Sequence, residues 1–213
     1  ASARGRGPIL DLISKVASQV FIPFTVGGGI NTIDDIRSTI LAGAEKVSLN
    51  SPAVKNPDLI SEGARIFGNQ CIVLGMDVRK DSTKPSGYGT TIHGGRVDTG
   101  LDALEWAKKG VSLGAGEIVL NSMDADGMKT GYDVELTRMI AEAVPVPVIA
   151  SGGGGTPQHL ADVLKEGKAD AALIASMVHT MGYTVDGIKK DLDKMGVPVR
   201  MYSLINRQNI WHG

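Results

Sequence analysis

The chain has 213 residues, 42% of them hydrophobic and 21% charged, with a formal net charge of −1. That length and composition suit a globular domain with a real core, and the near-zero charge excludes a footprint for nucleic acid or an anionic membrane. No apolar run approaches a membrane span, no signal-peptide core follows Ala1 to Pro8, and the one cysteine excludes an internal disulfide, all of which point to the cytoplasm.

In chain order, the first element is a helix over Ile9–Val20, with Ile9, Leu10, Leu12, Ile13, Val16, Ala17 and Val20 at helical spacing. A strand follows over Ile22–Val26, ending on Gly27-Gly28-Gly29. Thr32 and Asp35 stand at capping-box spacing for the next helix. Lys46–Leu49 is the second strand, and Ser51-Pro52 reads as the cap and first residue of a short helix. Asn56-Pro57 pairs a cap with a proline at the first helical position. Cys71–Met76 is the third strand, opening on a buried, inert thiol. Thr99 and Asp102 again have capping-box spacing. Glu117–Ser122 and Val146–Ala150 are strands, Thr156-Pro157 starts a helix, and Ala171–Ile174 is the last strand, with Ser176 before another short helix. Several of these runs are apolar at nearly every residue, as strands buried on both faces are. No linker divides residues 1–213, so repeated βα units in one domain predict a parallel sheet, either a barrel or a doubly wound sheet.

An internal repeat favours the barrel. Pro23 to Gly29, a helix, Ala42-Gly43-Ala44 and Ser48 to Ser51 match Pro147 to Gly153, a helix, Glu166-Gly167 and Leu173 to Ser176. Two half-barrels of four βα units each are implied. The second half is complete, whereas the first supplies two strands, so two strands are expected to be absent.

Chemistry in βα folds gathers at the carboxyl ends of strands. Glycine clusters there admit phosphate oxygens to backbone N–H groups, or serve tight turns alone. Two clusters, each paired with a serine after the next strand, favour phosphate, and a substrate carrying one at each end. Asp77 stands where a general acid or base belongs, or it pairs with Arg79 or Lys80 or caps a turn. Asp124 and Asp126 lack a nearby His or Cys and have Lys129 close by, which favours hydrogen bonding over a metal; no metal and no cofactor is expected. His93, His159, His179 and His212 show no ligand spacing and read as surface or helix-side residues. No Gly-x-Ser-x-Gly, Walker loop or Cys-x-x-Cys occurs. Lys46 and Glu117 open their strands, at the opposite mouth, where charge means stability or interface.

Val26-Gly-Gly-Gly-Ile30, Lys46-Val-Ser-Leu-Asn50, Met76-Asp77, Gly114-Ala-Gly-Glu117, Asp124-Ala-Asp-Gly127, Gly131-Tyr-Asp133, Ile149-Ala-Ser-Gly-Gly153 and Ala172-Leu-Ile-Ala-Ser176 occur in an order that resembles the cyclase subunit family of imidazole glycerol phosphate synthase. The resemblance covers nearly all of residues 9–201. It implies a TIM (β/α)8-barrel, with about six of eight βα units present. It also implies closure of an imidazole ring on a two-phosphate ribonucleotide, in histidine biosynthesis, with ammonia from a glutaminase subunit docked at the N-terminal face. By resemblance, Asp77 is the acid/base aspartate. Gly29, Asn50 and Ser51 match one phosphate site, and Gly153, Ala175 and Ser176 the other, with Gly127 nearby. Asn121, Asp126 and Ser151 match substrate contacts, and Lys46 and Glu117 an ammonia gate. The sibling phosphoribosyl isomerase shares the phosphate motifs but not the Asp124–Asp133 loop.

Against the family pattern, the first strand, first helix and second strand are expected to be missing. With them would go a second catalytic aspartate, a lysine on the loop after it and two gate residues. Ala1 to Arg6 resembles the loop after the family's second strand, and the tail at 202–213 matches nothing in it. The rival reading is a catalytically silent, phosphate-binding barrel fragment.

Overall fold

A computed structural model describes residues 7–201. The readings of Ala1 to Arg6, of the 202–213 tail and of His212 lie outside the described residues. Helix α1 (Gly7–Ala17) precedes six parallel strands: β1 (Thr25–Gly27), β2 (Lys46–Leu49), β3 (Ile72–Lys80), β6 (Glu117–Ser122), β7 (Val148–Ser151) and β8 (Ala171–Ala172). They neighbour one another in chain order, β1-β2-β3-β6-β7-β8. A doubly wound sheet reverses its strand order at a switch point; this sheet never does, which is the barrel pattern. Helices α2 (Ile33–Leu41), α4 (Asp58–Phe67), α5 (Ala103–Ser112), α6 (Val134–Ala143), α7 (Pro157–Lys165) and α9 (Val185–Lys194) make or follow the crossovers. Short α3 (Ser51–Lys55) and α8 (Ser176–His179) follow β2 and β8.

Strand alternation sorts the sheet's two faces. Val47, Leu49, Ile72, Leu74, Met76, Ile118, Leu120 and Val148 are fully buried and pack with Ile36, Ile60, Trp106, Leu136 and Ile140 from the helices. A second cluster joins Ala150 to Leu160, Val163, Met177, Ile188 and Leu192 under α7 to α9. The other face carries Lys46, Ser48, Asp77, Glu117, Asn121 and Ser151, all partly accessible. No described helix is long and apolar enough to cross a membrane.

Several boundaries differ from the sequence reading. β1 starts at Thr25 rather than Ile22; Pro23 has no N–H to give a ladder, and Ile22 is 60% exposed. β7 likewise starts after Pro147. Cys71 ends a 3-10 turn (Asn69–Cys71) instead of opening the strand, and its thiol is only half-buried. β3 runs on through Asp77 to Lys80, because an antiparallel hairpin missed in the sequence pairs with its end. The hairpin is β4 (Tyr88–Ile92) and β5 (Val97–Asp102), with Asp77 opposite Thr91 and Lys80 opposite Tyr88. Thr99 therefore lies inside β5, and Asp102 itself caps α5. Pro57 rather than Asn56 caps α4; Asn56 instead terminates α3. Asn50, not Ser51, is the cap of α3. The caps at Thr32 with Asp35 and at Thr156-Pro157 form as read, and the repeat is real in structure: strand, positive-φ glycines, Thr-capped helix, strand, Ser-started helix, twice.

Candidate functional site

The sheet register puts three of the proposed residues in one row. Asp77 on β3 lies opposite Asn121 on β6, which lies opposite Ser151 on β7. All three point to the accessible face, near the carboxyl ends of their strands. Asn121 Nδ2 donates to Asp77 Oδ1 at 3.2 Å. The half-buried carboxylate is thus oriented by a neutral amide, rather than paired with Arg79 or Lys80, and no salt bridge involves it among the described residues. Thr91 Oγ1 donates to the Asp77 carbonyl at 3.0 Å, so the hairpin clamps the backbone of the same residue. A carboxylate held through one oxygen leaves the other without a hydrogen-bond partner among the described residues, as an acid/base group needs.

Beside this row, at the ends of β7 and β8, a cavity of about 140 Å³ is lined by Asp126, Gly127, Ser151, Gly153, Ala175 and Ser176. The proposed second phosphate group is therefore gathered into one concavity. Lys129 lines it too, a cation that the sequence reading used only as an argument against a metal. Gly152, Gly153 and Gly154 are packed, whereas Gly127 has open space around it. Gly153 has φ +103°, and a Cβ on it would stand 2.0 Å from the Gly131 carbonyl oxygen. Gly131 N–H also donates to the Gly153 carbonyl at 2.9 Å. The β6–α6 loop is thus locked onto the β7–α7 loop. Tyr132 adds a hydrogen bond from its hydroxyl to the Leu173 carbonyl at 2.9 Å, and burial pushes its phenol up to about 12.

The first glycine cluster is different. Gly28 and Gly29 have φ +87° and +73°, with nothing within 4 Å of an added Cβ. Gly27 lies opposite Ser48, so Gly29 and Asn50 leave adjacent strand ends at the same level. Asn50 Oδ1 is buried with no partner among the described residues. Gly29 borders a crevice with α1 that Asn50 and Ser51 do not line. Asp124, by contrast, is structural: its Oδ2 accepts from Lys80 N–H at 2.7 Å and ties β3 to the β6 loop.

At the other mouth, Lys46 Nζ and Glu117 Oε2 meet at 2.5 Å, both side chains partly buried. Four residues separate Glu117 from Asn121 along β6, which at ~3.3 Å each places this pair about 13 Å below the Asp77 row.

The sequence reading missed the β4–β5 hairpin as a site element. Its signal was present: Tyr88-Gly-Thr-Thr-Ile92, rich in β-branched residues, a four-residue turn with two glycines, then Val97. Its tip brings His93 to Ser51 and Lys55.

Comparison with known proteins places the chain in a family. The family described as "Histidine biosynthesis protein" matches residues 1–184. A protein of Desulfatibacillum aliphaticivorans named "Imidazole glycerol phosphate synthase subunit HisF" is 62% identical over 203 residues, covering 94% of this chain and 78% of the relative. The same-named protein of Desulfosudis oleivorans is 60% identical over 204 residues, covering 94% of this chain and 79% of the relative. That of Solidesulfovibrio magneticus is 58% identical over 214 residues, covering 99% and 80%.

Proposed function

This chain belongs to the histidine biosynthesis protein family, and we propose on that premise that it is a lyase, the cyclase subunit of imidazole glycerol phosphate synthase. The observation that carries the chemistry is the row of Asp77, Asn121 and Ser151 at the carboxyl ends of neighbouring strands. A two-phosphate ribonucleotide spanning the mouth would be held at one end by Gly29, Asn50 and Ser51. At the other, Gly127, Gly153, Ala175 and Ser176 would hold it. Its reacting centre then lies over Asp77, with Asn121, Asp126 and Ser151 contacting it. Asp77 exchanges protons as ammonia adds and the ring closes, and Asn121 keeps its carboxylate aimed. The products are imidazole glycerol phosphate and aminoimidazole carboxamide ribonucleotide.

The name of the relatives, a subunit, supports a partner chain. We assign the partner as a glutaminase that docks at the amino-terminal mouth of the strands. The Lys46–Glu117 pair, on the accessible face of the sheet there, is the candidate gate through which ammonia enters.

Ammonium-driven turnover of the two-phosphate substrate by the purified chain tests this reading. Turnover is expected, and Asp77→Asn is expected to lower kcat by about 10²–10⁴-fold, the contribution of a positioned acid/base group. A folded chain without turnover would sink the activity and leave the second reading, a phosphate-binding barrel that is catalytically silent. One feature favours that alternative: among the described residues no pairing joins β8 to β1, so the accessible face is open on one side.

A further inference from the structure

Resting on the reading above, we propose that Lys55 is a further cationic ligand of the phosphate group placed at Gly29, Asn50 and Ser51, held there by His93, which the β4–β5 hairpin delivers. The case begins with the backbone. His93 has φ +55°, a left-handed conformation rare outside glycine, although Gly94 and Gly95 follow it directly. A side chain kept in such a conformation at the mouth of a site points to a use for that side chain.

Three contacts hold the tip in place. His93 N–H donates to Ser51 Oγ at 3.3 Å. Thr91, two residues earlier, bonds the Asp77 carbonyl. Gly95 is buried against Met123, where an added Cβ would come within 2.7 Å of Cε. Met123 in turn accepts from Asn121 Nδ2 through its sulfur, at 3.4 Å. The hairpin tip therefore bridges the ends of β2, β3 and β6, and its position is set by the site residues themselves.

The side chains complete the argument. His93 Nε2 lies 3.5 Å from Lys55 Nζ. Lys55 is four residues after Ser51 on α3, hence on the same helical face. Neither has a carboxylate partner among the described residues. Lys55 Nζ, which can only donate, gives one N–H to His93 Nε2 and keeps two more, exposed and without a carboxylate, one helical turn from Ser51. An anion beside the Ser51 hydroxyl would take a charge-assisted hydrogen bond from the Lys55 ammonium that His93 holds in place. The chemistry recognised is a phosphate monoester.

The test is a ¹H–¹⁵N NMR titration of the full chain with inorganic phosphate, read separately at the Ser51 and Gly153 amides. His93→Asn keeps a residue that tolerates positive φ while removing the imidazole; Lys55→Gln removes the ammonium. Each is expected to raise the Kd read at Ser51 about tenfold, the effect of one charge-assisted contact, and to leave the Kd read at Gly153 unchanged. An unchanged Kd at Ser51 in both variants, equal losses at both amides, or no response of Ser51 in the wild type would each overturn the assignment. Turnover does not enter this titration, so failure of the cyclase reading and failure of the His93–Lys55 assignment are separate results.

Discussion

Gly28 and Gly153 belong to the corresponding glycine clusters of the two halves of the repeat, just past a strand and before a Thr-capped helix, yet they are constrained differently. Both have positive φ, which disfavours any L side chain by about 1–2 kcal/mol. Around Gly28 there is open space; Gly153 faces a carbonyl oxygen that a methyl group would overlap. Gly28→Ala is therefore expected to cost about 1–2 kcal/mol. Gly153→Ala is expected to cost about 3 kcal/mol or more, because overpacking against backbone adds to the conformational term. Urea unfolding midpoints of the two variants check this, and equal losses would mean that the β6–α6 loop yields. The contrast also bears on recognition. At Gly153 the glycine is required by packing whatever the ligand, whereas at Gly28 and Gly29 the exposed backbone has no packing reason for glycine beyond its φ.

Between β5 and α5, one carboxylate joins three segments. Asp102 accepts from Ser86 N–H at 2.8 Å and from Leu104 and Glu105 N–H at 3.0 and 3.1 Å. Burial alone would raise its carboxyl, but the hydrogen bonds from Ser86, Glu105 and Leu104 outweigh it and hold the group below the ordinary range. A depressed folded-state value stabilises the fold above the unfolded value near 4, and that contribution is lost as pH falls through the folded value. Asp102→Asn is expected to be less stable than wild type at pH 7, with the difference shrinking below about pH 4 as the wild-type carboxyl protonates. Urea midpoints at neutral pH and at about pH 2.5 would show it; a pH-independent difference would assign the effect to shape alone. The hairpin that Asp102 anchors also carries Tyr88, whose hydroxyl donates to Asp133 at 3.3 Å and whose phenol burial and Asp133 push upward. Two loops that bear candidate site residues are thereby tied at the element level.

Across the whole molecule, apolar surface is unevenly covered. Phe21 and Leu41 are 93% and 80% exposed, on the segments before β1 and at the end of α2, and β1 ends the strand path among the described residues. Exposed apolar side chains of this size promote association. Sedimentation velocity at micromolar concentration is expected to show self-association that Phe21→Lys with Leu41→Lys reduces. The stability of the variant is expected to change by no more than about 0.5 kcal/mol per exposed site. A monomeric wild type would show that this surface is covered in solution. At the other end of the path, α7, β8 and α9 enclose an apolar hollow of about 660 Å³ lined by Leu160, Ala172, Ile188, Leu192 and Val199.

Local pattern was enough for the βα alternation, the Thr32 and Thr156 caps and the repeat, because each depends on residues near in sequence: turn chemistry, capping spacing and apolar runs of strand length. The ends of strands were less legible. Apolar residues such as Ile22 continue past the point where Pro23 denies the ladder a donor, and β3 continues past Met76 because a partner strand arrives from fourteen residues away. Only tertiary structure decided three things. It fixed the neighbours of each strand in the singly wound order that the repeat had only favoured. It set Asp77, Asn121 and Ser151 in one row and gave Asp77 an amide rather than a cation for a partner. It also carried His93 to Lys55 and Ser51. Those outcomes depend on register and on the path of a hairpin, and pairings between distant segments leave no periodicity in the chain from which to read them.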